Sequence, residues 1–377
     1  MTFPFNARAP SFDADAINAT IQQALASAGL NTTTGPMHDV TQTIRRALAS
    51  GRPAGAAPKF DNKSVIDVAA RIIPPGPDTN TQQLPGRFEA HQFSNGAGSR
   101  AYKVYVPTQT SDSPRAMIVM LHGCTQSADD FAAGTQMNRL AHQHNLLVVY
   151  PEQAANANAS KCWNWFNPQD QLRGAGEPSL IAGITSEVAH RHAVDQRRIF
   201  VAGMSAGAAM AMVLGETYPE LFAGVGTHSG LPYGSAHDIA SALAAMKGAR
   251  SATPPRKAAQ ALPVIVFHGD QDQTVQHTNS ARIVQQALDA HGAQPGYAGL
   301  RVSTRCGVTP AGRRFSCTVH TDTTGQARIE SWTLHGAGHA WSGGHASGSY
   351  TDSNGPDASA QMLRFFLSLL PASLVDS

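Results

Sequence analysis

The pentapeptide Gly203-Met204-Ser205-Ala206-Gly207 places a serine between an apolar run, Arg198-Ile199-Phe200-Val201-Ala202, and an alanine-rich run, Ala208 to Leu214. The first reads as a buried strand and the second as a helix. A serine at such a junction occupies a tight, strained turn that lifts its hydroxyl clear of the sheet. Glycine at positions 203 and 207 removes the side chains that would collide where strand and helix close on each other. The turn also sets the serine at a helix N-terminus, whose N–H groups can stabilise an oxyanion. The chemistry this predicts is nucleophilic attack by Ser205.

A serine hydroxyl needs a base to take its proton and a third group to orient that base. Both are expected at loops after later strands, in the order serine, acid, histidine. Val264-Ile265-Val266-Phe267 reads as a strand, and His268-Gly269-Asp270-Gln271-Asp272 follows it with two candidate acids, Asp270 and Asp272. After the last strand comes His335-Gly336-Ala337-Gly338-His339-Ala340-Trp341, with two candidate bases, His335 and His339. Each lies at the carboxyl end of a strand, where open α/β sheets carry their sites. The loop Leu121-His122-Gly123-Cys124-Thr125-Gln126 is the candidate oxyanion loop, with the backbone N–H groups of Cys124 and Ala206 as donors. Trp341 is an aromatic candidate for contact with an ester substrate. Trp163 and Trp165 read as core packing.

These residues must be held by a fold. Strands are predicted at Ala101–Val106, Met117–Leu121, Leu146–Tyr150, Arg198–Ala202, Val264–Phe267 and Ile329–Leu334. Helices are predicted at Phe131–Asn145, Leu180–His192, Ala206–Tyr218, Thr278–His291 and Ala358–Leu370. The alternation implies an α/β domain over residues 86–377, with a mostly parallel central sheet and helices on both faces. Residues 1–85 read as a helical N-terminal extension and linker. Apolar residues recur at helical spacing from Ala14 to Leu30 and from His38 to Ser50, before Pro74-Pro75-Gly76-Pro77.

Charged residues make up 14% of the 377-residue chain, and the net charge is +2. No basic field is present to attract nucleic acid. No apolar run is long enough to span a bilayer. The sixteen histidines raise a metal reading. His142 and His144, like His190 and His192, stand two apart on predicted helices and point to different faces. No H-E-x-x-H or C-x-x-C pattern occurs. Four cysteines are present. Cys306 and Cys317 flank the turn sequence Thr309-Pro310-Ala311-Gly312 and are candidates for a disulfide across a hairpin, a closure contributing roughly 2–3 kcal/mol. Cys124 and Cys162 are candidates for a second pair, and four reduced thiols are the alternative. The N-terminus shows no basic stretch followed by an apolar run, so no secretory signal is read.

Several separated motifs together resemble the polyhydroxybutyrate-depolymerase-type esterases. They are His122-Gly123-Cys124-Thr125-Gln126, Cys162-Trp163-Asn164-Trp165-Phe166, the Ser205 pentapeptide continuing through Ala211, His268 to Asp272, Gly338-His339-Ala340-Trp341, and Gly98-Ser99-Arg100-Ala101-Tyr102. The order looks like the type 1 catalytic domain of short-chain polyhydroxyalkanoate depolymerases, over roughly residues 86 to 370. The resemblance implies the α/β-hydrolase fold. It implies Ser205 as nucleophile, Asp272 as acid in preference to Asp270, His339 as base, and the Cys124 amide in the oxyanion hole. It implies a poly(3-hydroxybutyrate) or short-chain polyhydroxyalkanoate depolymerase working through an acyl-enzyme, with a feruloyl or acetylxylan-type carboxylesterase as the alternative. The expected partner is a polyester or small ester. Metal, organic cofactor, nucleic acid and integral membrane association are not expected, and the oligomeric state is left open. The missing signal points to the cytoplasm and storage granules. The secreted members of the family point to the alternative, an extracellular enzyme.

Overall fold

A computed structural model of the protein describes residues 85–109, 114–250 and 260–369. The helical extension expected within residues 1–85, up to residue 84, lies outside the described residues, as does Leu370.

Ten strands form one sheet in the order β1-β2-β4-β3-β5-β6-β7-β10-β9-β8. Its centre is parallel and made of β4 (Leu147–Pro151), β3 (Met117–Leu121), β5 (Ile199–Met204), β6 (Gly224–His228), β7 (Val264–Gly269) and β10 (Ala327–Leu334). Antiparallel strands complete both edges. One edge carries β2 (Gly98–Pro107) and β1 (Gly86–Asn95), and the other β9 (Arg314–Thr321) and β8 (Arg301–Val308). Strands β11 (Trp341–Ser342) and β12 (Thr351–Asp352) pair separately.

The central strands read as near-continuous apolar runs because both their faces are covered. Along β3, Met117, Val119 and Leu121 enter one core, while Ile118 and Met120 enter the other. This is the two-residue alternation of a strand. The first core is roofed by α3 (Gly176–Arg191), α4 (Ala206–Thr217), α5 (Ile239–Met246) and α6 (Thr278–Gly292). The second is roofed by α1 (Ala128–Thr135), α2 (Met137–Gln143) and α7 (Ala358–Ser368), where Phe200 stacks on Phe366 at 4.7 Å. Among the described residues, no helix is long and apolar enough to cross a membrane.

The helix expected over Phe131–Asn145 is two helices. Gln136 has φ 54° and breaks the run, and the first helix begins earlier, with Ser127 Oγ accepting from the Asp130 N–H. Strand β6, Gly-Val-Gly-Thr-His, is absent from the sequence reading because glycine carries no strand signal. A Cβ at Gly226 would lie 3.0 Å from Ala202 Cβ and from Met362 Sδ, so packing between sheet and α7 selects glycine there. Strands β1, β8 and β9 and helix α5 are also additions.

The expected Cys306–Cys317 disulfide is corrected. Both thiols are free, Cys306 exposed and Cys317 buried. In the β8–β9 register Cys306 faces Ser316 and Cys317 faces Arg305. A one-residue offset in pairing sends the two sulfurs to opposite sides of the sheet. Cys124 and Cys162 are joined, with an S–S distance of 1.98 Å.

Candidate active site

Ser205 stands between β5 and α4, with φ 56° and ψ −119°. Its N–H donates to the His228 carbonyl at the end of β6, at 2.9 Å. The approach of helix to strand is as close as the flanking glycines predict. A Cβ on Gly207 would stand 2.1 Å from the Leu121 carbonyl oxygen and 2.5 Å from that of His122. Real Cβ atoms do not come so near backbone, so any side chain would push α4 off the loop after β3. Ala206 is the first residue of α4, and its N–H has no intrahelical acceptor.

That loop lies beside the serine. A Cβ built on Gly123 would be 3.7 Å from Ser205 Cβ. The Cys124 N–H makes no hydrogen bond among the described residues, while its neighbours are held. The Gly123 N–H donates to Gln126 Oε1 at 2.9 Å, and the Thr125 N–H donates to the Ser160 carbonyl at 2.7 Å. Buried His122 donates from Nδ1 to the Gly123 carbonyl at 2.7 Å, and its Nε2 accepts from the Gln153 N–H at 3.0 Å. Burial lowers the His122 pKa, consistent with the neutral tautomer these bonds require. The Cys124–Cys162 bond ties the loop to the segment after β4. The arrangement leaves the Cys124 and Ala206 amides as candidate anion donors.

Beneath the loop lies a buried charge that the sequence did not announce. Glu177, 3% exposed, accepts from Gln153 Nε2 at 2.5 Å, from Asn164 Nδ2 at 2.8 Å and from the Asn164 N–H at 2.7 Å. Arg100, 8% exposed, approaches the same carboxylate at 3.2 Å. Burial pushes the Glu177 carboxyl above its usual range, and the Gln153 hydrogen bond opposes that shift. Gln153 also donates to the Cys162 carbonyl at 2.9 Å, which connects the carboxylate to the disulfide. These partners come from three stretches of chain outside that of Glu177, so no local spacing could have revealed them.

The two candidate acids and two candidate bases sort into two pairs. His339 Nδ1 donates to Asp272 Oδ2 at 2.7 Å. Asp272 Oδ1 accepts from the Thr274 and Val275 N–H groups, each at 2.9 Å, and His268 Nε2 stands 3.3 Å from Oδ2. Burial opposes ionisation of Asp272, but the bonds from His268 and His339 outweigh it and hold the carboxyl well below its usual range. The second pair joins His335 Nδ1 to Asp270 Oδ2 at 3.0 Å. Among the described residues no hydrogen bond joins Ser205 Oγ to His339. Ser205 and the His339–Asp272 pair nevertheless all follow the carboxyl ends of parallel strands, β5, β10 and β7.

Trp341 is corrected as a substrate contact. It is 1% exposed, packs on Phe131 and His228, and donates from Nε1 to Ser359 Oγ at 3.1 Å. An indole this apolar fills the second core in preference to facing water. An exposed aromatic beside the candidate oxyanion loop is Tyr350, whose hydroxyl lies 3.2 Å from Thr125 Oγ1.

Two outcomes follow. Glu177→Ala removes the carboxylate that ion-pairs with buried Arg100 and should cost about 3–5 kcal/mol, read as a lowered urea midpoint. His228 is fully buried, and desolvation first, then His268 and His339, brings its pKa from 6.5 down to about 3. Between those values it is protonated only in the unfolded chain, so stability should fall as pH drops from about 6.5 toward 3, by up to about tenfold in the unfolding constant per pH unit. Asp272, with its pKa depressed, adds to the loss only below about pH 4. Urea midpoints against pH should therefore fall less steeply above pH 4 in His228→Gln, the remaining slope coming from the other buried histidines with lowered pKa, His122 among them, and should keep their slope below pH 4.

Comparison with known proteins places these features in a family. The profile described as esterase PHB depolymerase matches residues 100–309. Poly(3-hydroxyalkanoate) depolymerase C of Paucimonas lemoignei is 30% identical over 263 residues, covering 67% of this chain and 61% of the relative. Feruloyl esterase B of Neurospora crassa is 35% identical over 162 residues, covering 43% of this chain and 50% of the relative. This chain thus spans less than two thirds of either relative's length. An acetyl xylan esterase from Aspergillus awamori shares the fold with a TM-score of 0.56 and 20% identity, over 74% of this chain and 99% of that one. With the profile covering more than half of its length, the chain belongs to the esterase PHB depolymerase family.

Proposed function

We propose that the protein is a serine ester hydrolase whose substrate is a short-chain polyhydroxyalkanoate, in the first place poly(3-hydroxybutyrate). The observation that carries this reading is the strained Ser205 turn, φ 56° and ψ −119°, with the 2.7 Å His339–Asp272 bond on the same rim of the sheet. In the proposed reaction His339 Nε2 takes the Ser205 proton as Oγ attacks the ester carbonyl. Asp272 keeps the Nδ1 proton in place and stabilises the imidazolium. The Cys124 and Ala206 amides face the oxyanion, where loss of one donor typically costs ~3–4 kcal/mol. His339 then protonates the leaving alcohol, and water repeats the sequence on the acyl-enzyme. The Ser205–His339 hydrogen bond forms with substrate in place, as such bonds often tighten only in the complex.

A second reading, a carboxylesterase for aromatic or acetyl esters, is favoured by the 35% identity to feruloyl esterase B. Incubation with amorphous poly(3-hydroxybutyrate) granules, methyl ferulate and acetylated xylan separates the two. The depolymerase reading expects the granule suspension to clear while both other esters are spared. Ser205→Ala should abolish clearing without lowering the melting temperature, and near-normal turnover by that variant would refute the assignment.

We further propose that the chain works in an oxidising compartment, against the cytoplasmic expectation. The Cys124–Cys162 bond beside the oxyanion loop supports this, because such bonds are rare where glutathione keeps thiols reduced. Thiol titration of protein isolated from its source under denaturing, non-reducing conditions should find two thiols; four would return it to the cytoplasm.

A further inference from the structure

Ser316, His335 and Asp270 form a second hydrogen-bonded row, apart from the Ser205 chemistry. Ser316 lies on β9 and pairs in register with Thr333 of β10, beside the loop that begins at His335. Its Oγ donates to His335 Nε2 at 2.8 Å, and His335 Nδ1 donates to Asp270 Oδ2 at 3.0 Å. The Gly336 N–H fixes the other carboxylate oxygen at 2.7 Å. Burial opposes ionisation of Asp270, but the bonds from His335 and Gly336 prevail and keep it below its usual range. An ionised partner on Nδ1 places the imidazole lone pair on Nε2, toward the hydroxyl.

The row opens onto a cavity of about 420 Å³, walled by Cys306, Val308, Arg314 and Phe315 along with Ser316 and His335. Cys306 Sγ stands 3.5 Å from Ser316 Oγ. The exposed Arg314 side chain also lines the cavity, with no ion pair or hydrogen bond of its own among the described residues. A staple joining β9 to the β10 loop would account for the Ser316–His335 bond. It would not account for a cavity over the hydroxyl.

We propose that Ser316 is a second, independent acyl-accepting nucleophile, served by His335 and Asp270, for small esters with good leaving groups such as aryl acetates. Ser316 Oγ bonds to the acyl carbon as its proton passes to His335 Nε2. The bond from acyl carbon to aryloxy oxygen breaks, and the phenol leaves with that proton. Water then attacks the acyl-serine, giving one proton to His335, which returns it to Oγ as the carboxylic acid departs. Arg314 faces the negative charge that develops. Ser316 sits within a strand, not at a helix N-terminus, so no helix amides serve it. Without such amides to hold the oxyanion, only activated esters react, because a phenol is a far better leaving group than the alcohol of a polyester.

The test uses the full chain carrying Ser205→Ala, so that failure here and failure of the depolymerase reading are separate results. It is treated with p-nitrophenyl acetate and, separately, with a fluorophosphonate probe followed by peptide mapping. The expected results are slow, saturable nitrophenol release and a phosphonylated Ser316. Adding Ser316→Ala or His335→Gln should lower both by about tenfold or more, and Cys306→Ala should preserve them. Two variants are used because either alone could loosen the contact between β9 and the β10 loop, and melting temperatures report that. Probe mapped elsewhere or not at all, or a rate that Ser316→Ala leaves unchanged, would overturn the proposal.

Discussion

The site depends on one close backbone contact. The α-carbon of Gly207 rests against the carbonyls of Leu121 and His122, nearer than any side chain would allow. This contact brings the first turn of α4 and the loop after β3 to one point. It compresses the chain at Ser205 into a positive-φ turn, a conformation that costs of order 1–3 kcal/mol and persists only where its surroundings impose it. Strand β5 runs between β3 and β6 with all its residues buried, and so supplies the rigid frame that imposes it. The proposed anion donors, Cys124 and Ala206, belong to the two segments that this contact brings together.

The loop after β3, proposed to hold the oxyanion, is tied to a buried carboxylate. Glu177 collects donors from Gln153, Asn164 and Arg100, and Gln153 continues to the Cys162 carbonyl and, through its N–H, to His122. A charge in this setting is tolerable only when its lone pairs are satisfied. The network therefore specifies geometry more than it adds stability. The disulfide closes the same circuit covalently, so the loop is held at Cys124 by sulfur and at His122 by hydrogen bonds.

The parallel sheet also explains why acids and bases sort as they do. Strands β7 and β10 run side by side in register, with Gly269 opposite Leu334. The loops leaving them begin level with each other, and the first acid met, Asp270, reaches the first histidine, His335. Asp272, two residues on, turns inward under the Thr274 and Val275 amides and reaches His339. The inner pair is the drier of the two, with the Asp272 side chain fully buried and that of Asp270 30% exposed. Burial, not spacing, distinguishes them.

Local pattern was enough for the fold class, the strand–turn–helix at Ser205 and the run of parallel strands, because buried strands and the glycines of a tight turn leave marks within a few residues. The expected strands and the α4 and α6 helices stand within a few residues of their places. Spacing narrowed the acid and base to two candidates each, and the family resemblance chose between them. Strand β6, the Glu177 network, the register that parts Cys306 from Cys317 and the burial of Trp341 left no such mark. Each is a relation between segments far apart in the chain. Packing distance, cross-strand register and access to water exist only once the sheet has formed, and tertiary structure alone decided them.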